Sequence, residues 1–114
     1  MASFVELDEN NVVIRGIVVD NSVLLDQNGI EQESLGKAFC VGLLGGKWVQ
    51  TSYNARSRGV YAGIGFHYNE TEDEFFPPGF KNRHEYSTFL EIMAQEAKNV
   101  LDKSAEIDNS PQTP

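Results

Sequence analysis

The residues with most potential for chemistry are two histidines and a run of acidic side chains. His67 and His84 are the only histidines, and four carboxylates lie within residues 70–74, just after His67. Imidazole and carboxylate groups together could hold a divalent ion. Because the run lacks the alternating Asp/Asn spacing and central glycine of an EF-hand loop, a solvated acidic hairpin turn is favoured over a weak ion site.

Nucleophilic catalysis has no better support in the sequence. Cys40 is the only cysteine and lies between Phe39 and Val41, where a thiol is usually an inert, buried hydrophobe. A single cysteine also excludes an intrachain disulfide and leaves a cysteine-based zinc site without ligands. The pair Gly63 and Gly65 lacks the third glycine of a dinucleotide-binding loop and opens no helix. We therefore predict no catalytic residue, no metal, no cofactor and no enzyme activity.

One short stretch carries clustered basic and aromatic side chains. Arg56 and Arg58, followed by Tyr61, form the only basic loop on an otherwise acidic chain. Such a loop could dock an acidic protein surface or a sugar, although a solvated loop is slightly favoured. The polar tail, residues 104–114, contains Ile107 and Pro111 and cannot pack by itself. These five residues are the candidates for partner binding.

In the first two thirds of the chain, the elements that position these residues are predicted to be mainly strands. Runs rich in β-branched and aromatic residues predict strands over residues 4–7, 12–19, 48–53, 60–68 and 74–76. The run over 12–19 is apolar on both faces except at Arg15 and Gly16, which is typical of a central strand. In the run over 60–68, Gly63 and Gly65 would share a face and leave a flat strip. Turn signals in residues 20–32 predict a loop with a possible short strand.

Two helices complete the expected fold. Ser34 could cap a first helix that ends at Gly45 and Gly46, with its apolar residues on one face: Leu35, Ala38, Phe39 and Leu43. Gly36 and Gly42 inside this helix require a reason such as close packing against the sheet. Asn82 and Glu85 have capping-box spacing for a second helix. Its apolar stripe recurs at intervals of three and four and is expected to cover the sheet rather than meet another chain.

Together these elements predict an α+β domain. We expect an antiparallel sheet of about five strands with two helices packed on one face, the second of them amphipathic. The domain would span residues 1–103, and residues 104–114 would form a polar C-terminal arm.

Composition narrows the classes of function. The chain has 114 residues and a net charge of −8, which repels a phosphate backbone and makes nucleic acid an improbable partner. The first residues lack the basic and apolar regions of a signal peptide, and nowhere do about 18 apolar residues run together. We expect a protein made in a reducing cytoplasm that neither crosses a membrane nor binds DNA.

A family resemblance rests on several short stretches of the sequence. They are Ala38-Phe39-Cys40; Leu43-Leu44-Gly45-Gly46-Lys47-Trp48-Val49-Gln50-Thr51-Ser52-Tyr53-Asn54; Arg58; Tyr61-Ala62-Gly63-Ile64-Gly65 with Tyr68; and Phe76-Pro77-Pro78. The hairpin-like run from Leu7 to Val13 is also typical of the family. Over residues 3–80 the chain resembles small virion-associated proteins of tailed phages of marine bacteria, especially cyanophages. Relatives continue after the prolines into a proline- and tryptophan-rich segment, whereas this chain continues into a helix. The different C-terminus implies a different docking partner.

The resemblance implies a phage particle component without enzyme activity. We expect a virion structural protein on the particle exterior, in multiple copies and bound to other virion proteins, as head decoration or cement or as a tail and fibre attachment component. The alternative is a soluble, phage-encoded binding protein that captures a small ligand or host factor inside the infected cell.

Overall fold

The computed structural model describes residues 1–51 and 62–108, with side chains described as far as Lys103. The chain divides into two compact units, Met1–Asn82 and Arg83–Pro114. The predicted division into a domain over residues 1–103 and a polar arm over residues 104–114 stays a prediction.

The described residues of the first unit, 1–51 and 62–82, form five strands and one α-helix, in agreement with the α+β class and the antiparallel pairing predicted above. The strands are β1 (Ala2–Leu7), β2 (Val13–Val19), β3 (Lys47–Thr51), β4 (His67–Asn69) and β5 (Glu74–Phe76). The helix α1 spans Glu33–Leu44, after a short 3-10 turn at Asn21–Leu24. The strands form one antiparallel sheet of three and one antiparallel hairpin of two.

The central strand of the larger sheet is β1, since the strand order is β2-β1-β3. The prediction that residues 12–19 form a central strand is therefore wrong. Ile14 and Val18 are 46% and 57% exposed, so β-branched residues here serve strand geometry rather than burial. Residue type indicated a strand correctly but did not indicate its position in the sheet.

The long strand predicted over residues 60–68 is wrong over residues 62–66 and correct at His67 and Tyr68, which belong to β4. Residues 62–66 are not a strand, and the chain turns at Ile64 and Gly65 before β4 begins. Gly65 has a φ of +91°, a left-handed conformation that glycine adopts without strain. Its N–H donates to the Val13 carbonyl at 2.8 Å, and the Val13 N–H donates to the Phe66 carbonyl at 2.8 Å. The two glycines thus shape a turn against the start of β2 rather than a flat strip.

The core lies on both sides of β1 because successive strand side chains point to opposite faces. On one side Phe4 is fully buried in a cluster with Ala2, Val19, Leu24, Cys40 and Trp48. On the other side Val5 and Leu7 belong to a second cluster with Val13, Val49, Ala62, Tyr68 and Phe75. The first cluster includes α1 and the second includes the β4–β5 hairpin.

Helix α1 packs on the sheet through Gly36 and Cys40, as the predicted close packing of Gly36 and burial of Cys40 require, and not through the predicted apolar face of Leu35, Ala38, Phe39 and Leu43. Its buried residues are Gly36 and Cys40, because the ring of Phe4 lies so close to Gly36 that only a glycine fits there. The helix begins at Glu33 rather than after a Ser34 cap, and the Glu33 carboxylate accepts from the Gln50 N–H of β3 at 3.0 Å. It ends as predicted at Gly45, which has a φ of +67° and donates to the Val41 carbonyl.

Arg15 joins β2 to the end of α1. Its guanidinium pairs with the Glu6 carboxylate and donates to the Leu44 carbonyl at 3.3 Å. It also lies 5.5 Å from the centre of the Trp48 ring. A cation near the last carbonyls of a helix complements the helix dipole, so one side chain fastens the helix end to the sheet.

The connection between β2 and α1 consists of the turns predicted from its Asp and Asn residues. Asp20 accepts from the Ser22 N–H at 2.9 Å, and Asp26 accepts from the N–H groups of Asn28 and Ile30 at 2.8 and 3.0 Å. These backbone donors lower the pKa of both carboxyl groups below the ordinary value.

The second unit contains the helix α2, Arg83–Asp108. It starts directly after Asn82, in agreement with the predicted start, and continues past the predicted end at Lys103. Nothing in residues 104–108 stops a helix, since the first proline or glycine after Lys103 is Pro111. The expectation that α2 covers the sheet is not confirmed, because its large apolar side chains are exposed, Leu90 by 45% and Val100 by 64%.

Candidate interaction surfaces

The partner-binding residues predicted from sequence fall almost entirely outside the described residues. Arg56, Arg58 and Tyr61 lie in the segment 52–61, and Pro111 lies beyond residue 108. Ile107 belongs to the last turn of α2, where only its backbone is described. The basic loop and the C-terminal arm therefore stay predictions.

A groove of about 260 Å³ lies on the sheet, on the side away from α1. Ser3, Val18 and Thr51 line it side by side, because Ser3 pairs with Val18 of β2 and with Thr51 of β3. Gly16 and Ile64 also line the groove. Gly16 has no side chain to fill the space above β1, so it keeps the groove open.

The Thr51 hydroxyl is an unusual feature of this groove. Thr51 is only 4% exposed, and its Oγ1 has no hydrogen-bond partner among the described residues. A buried hydroxyl without a partner costs about 1 to 3 kcal/mol. With apolar Val18 and Ile64 in its lining, the groove suits a small and mostly apolar molecule.

Sequence reasoning missed this groove. The signal that could have found it is Gly16, the one glycine in a run of β-branched residues. A glycine inside a strand often marks a place where another group approaches the backbone closely. Thr51 gave no signal of its own, because its burial depends on the neighbouring strand β1, which is distant in sequence.

A second candidate surface is an apolar ridge on α1, formed by Leu35, Phe39 and Leu43. These residues follow one another at intervals of four and therefore lie in one row along the helix. They were predicted to be buried, but they are 38%, 42% and 61% exposed. The row lies next to the buried stripe of Gly36 and Cys40, so the helix presents apolar surface to solvent beside its contact with the sheet.

The acidic turn between β4 and β5 is tied to its surroundings by ordinary polar contacts. Glu70 pairs with the Lys47 ammonium at 2.9 Å, which lowers the pKa of Glu70. Tyr68 donates its hydroxyl to the Asp73 carboxylate, and Asn69 accepts from the Glu72 N–H at 2.9 Å. No group of three His, Cys, Asp or Glu side chains within the described residues is placed to hold a metal ion.

The thiol of Cys40 lies in the core. It is fully buried, as predicted, and burial raises its pKa. A thiol with a raised pKa is a poor nucleophile at neutral pH because little thiolate is present. Cys40 belongs to the buried cluster that contains Phe4, so its side chain contributes to the packing of the core.

Comparisons with protein-family models, curated proteins and solved structures gave no match for this chain. Neither α1 nor the described length of α2 is long and apolar enough to cross a membrane.

Proposed function

We propose that this chain is a non-enzymatic structural protein of a phage particle. It would be present in multiple copies on the particle exterior and bound to other virion proteins, either as head decoration or where tail and fibre parts join. The observation that carries the proposal is the apolar ridge of α1. Leu35, Phe39 and Leu43 are exposed in a row, and contiguous exposed apolar surface is characteristic of a protein interface.

Charge supports the exterior location. The net charge of −8 on 114 residues would be repelled by packaged DNA. An acidic protein fits better on the outer surface of a particle, where it meets solvent and other proteins. The choice of a phage particle rests on the family resemblance inferred from the sequence over residues 3–80.

Mass spectrometry of purified particles tests the proposal directly. We expect the chain at a stoichiometry comparable to other structural proteins, and its absence from pure particles would refute the assignment. Incorporation of a Phe39→Glu variant should fall strongly, since a charge would interrupt the ridge. Ser34→Glu is the matched control, because it adds the same charge at an exposed residue of the same helix outside the ridge and should be incorporated normally.

The alternative is a soluble binding protein that takes a small ligand inside the infected cell. The groove on the sheet favours this candidate, since its volume and its apolar lining suit a small molecule. Native mass spectrometry of the protein isolated from infected cells would then detect a bound small molecule. Gly16→Val, which places a side chain in the groove, should lose that molecule while Phe39→Glu retains it, and a protein without any bound mass would argue against this function.

A further inference from the structure

The side chains of α2 repeat along the helix with the spacing of a coiled-coil seam. Tyr86, Leu90, Met93, Ala97 and Val100 follow at alternating steps of four and three, and the sequence continues the steps to Ser104 and Ile107. This is the spacing of the a and d positions of a heptad, with Leu90 and Ala97 at a, and Tyr86, Met93 and Val100 at d.

The seam is exposed rather than buried. Leu90, Met93 and Val100 are 45%, 40% and 64% exposed. A helix whose apolar stripe faces water gains little stability from packing, and most helical stability in proteins comes from such packing. A complementary surface is therefore expected to cover the seam.

We propose that the seam is covered by the same helix of a second copy of this chain, in antiparallel orientation. In an antiparallel pair, a positions pack against d positions of the partner helix. With Ala97 opposite the partner's Val100, each small seam residue faces a larger one. A parallel pair would instead set Ala97 against its own copy and leave a poorly filled layer.

Charge beside the seam favours the same arrangement. Glu96 and Lys103 occupy successive g positions, and both are exposed. In antiparallel coiled coils, g residues face g residues, so Glu96 would meet the partner's Lys103 and Lys103 would meet the partner's Glu96. In a parallel pair, Glu96 would face Leu101 instead. Helix α2 is therefore complementary in charge to α2 of a second copy only in the antiparallel orientation.

This inference is independent of the proposed particle function, and its first test is the mass of the full chain in solution. Sedimentation equilibrium of the wild type should give twice the monomer mass of 12.7 kDa. Leu90→Glu should return the monomer, because it places a charge in the seam. Gln95→Glu adds the same charge on the outer face of α2 and should remain dimeric. A monomeric wild type, or a Leu90→Glu variant that dimerises normally, would overturn the proposal.

Charge-exchange variants test the orientation without altering the apolar seam, so they remain informative if Leu90→Glu fails to fold. Glu96→Lys alone and Lys103→Glu alone should each dimerise about tenfold more weakly, since two symmetric attractive pairs become repulsive. The two variants mixed, or both changes in one chain, should recover wild-type affinity. Equal affinity in all of these proteins would show that the helices do not pair in this way.

Discussion

The ring of Phe4 lies against the backbone of Gly36, so that strand β1 and helix α1 meet where the helix has no side chain. A Cβ at position 36 would lie 2.8 Å from Phe4 Cε2 and nearer still to Cζ. Phe4 itself is completely buried. The close approach of helix and sheet therefore depends on this one glycine.

Gly36→Ala should destabilise the fold. Although alanine favours a helix, the added methyl group would overlap the Phe4 ring, and overpacking a core costs about 1 to 3 kcal/mol. Gly42→Ala is the matched control in the same helix, since no atom lies within 4 Å of a Cβ there. It should raise the free energy of unfolding by up to about 1 kcal/mol. Urea denaturation at one protein concentration measures both, and a stabilised Gly36→Ala protein would contradict the packing described.

Thr51→Val should stabilise the protein by about 1 kcal/mol. Valine keeps nearly the same shape but removes a buried hydroxyl that has no partner among the described residues. Thr51→Ser is the control, because it keeps the hydroxyl and loses the methyl group, and it should destabilise by a similar amount. If Thr51→Val unfolds at a lower urea concentration than the wild type, the hydroxyl is bonded in the folded protein.

The contribution of Asp26 to stability should depend on pH. Backbone donors at Ile30 and Asn28 hold the pKa of its carboxyl group below the ordinary value, so folding favours the charged form. This stabilisation is fully present above the unfolded-state pKa and is lost as the pH falls through the lower, folded-state pKa. Asp26→Asn keeps an acceptor oxygen but cannot titrate. Its deficit in stability relative to wild type should be largest near neutral pH and should shrink in strong acid; a deficit that is constant with pH would exclude this role.

Cys40 should resist thiol reagents in the folded protein. Its burial and its raised pKa both lower the supply of accessible thiolate, so labelling at pH 8 should require local or global opening. Urea should accelerate the reaction by at least about a hundredfold. Gln95→Cys adds an exposed thiol on α2 and should label rapidly in the same protein. Rapid labelling of the wild type without denaturant would contradict the buried position of Cys40.

Local sequence signals predicted the local structure well. The turn residues around Asp26, the helix end at Gly45 and the helix start after Asn82 all act through nearby backbone geometry, which their residue types determine. The burial of Cys40 between apolar neighbours followed in the same way. Each of these features needs only a few adjacent residues to be specified.

Features that depend on distant partners were not predictable. The pairing of β1 with β3 moves β2 to the edge of the sheet, and nothing within residues 12–19 encodes that order. The face of α1 that packs inward is decided by the Phe4 ring, far away in sequence, rather than by the apolar residues of the helix itself. The groove was missed for the same reason, since Thr51, Ser3 and Val18 come together only when three strands pair.

The position of β1 between β2 and β3 has a consequence for synthesis on the ribosome. Strand β1 is translated before both of its neighbours, and the second of these, β3, which pairs Thr51 with Ser3, is translated much later than β2. Until then, the backbone N–H and C=O groups along one edge of β1 have no partner strand and could form hydrogen bonds with other nascent chains. Chaperone association during translation should therefore concentrate on the interval before the β3 segment leaves the exit tunnel.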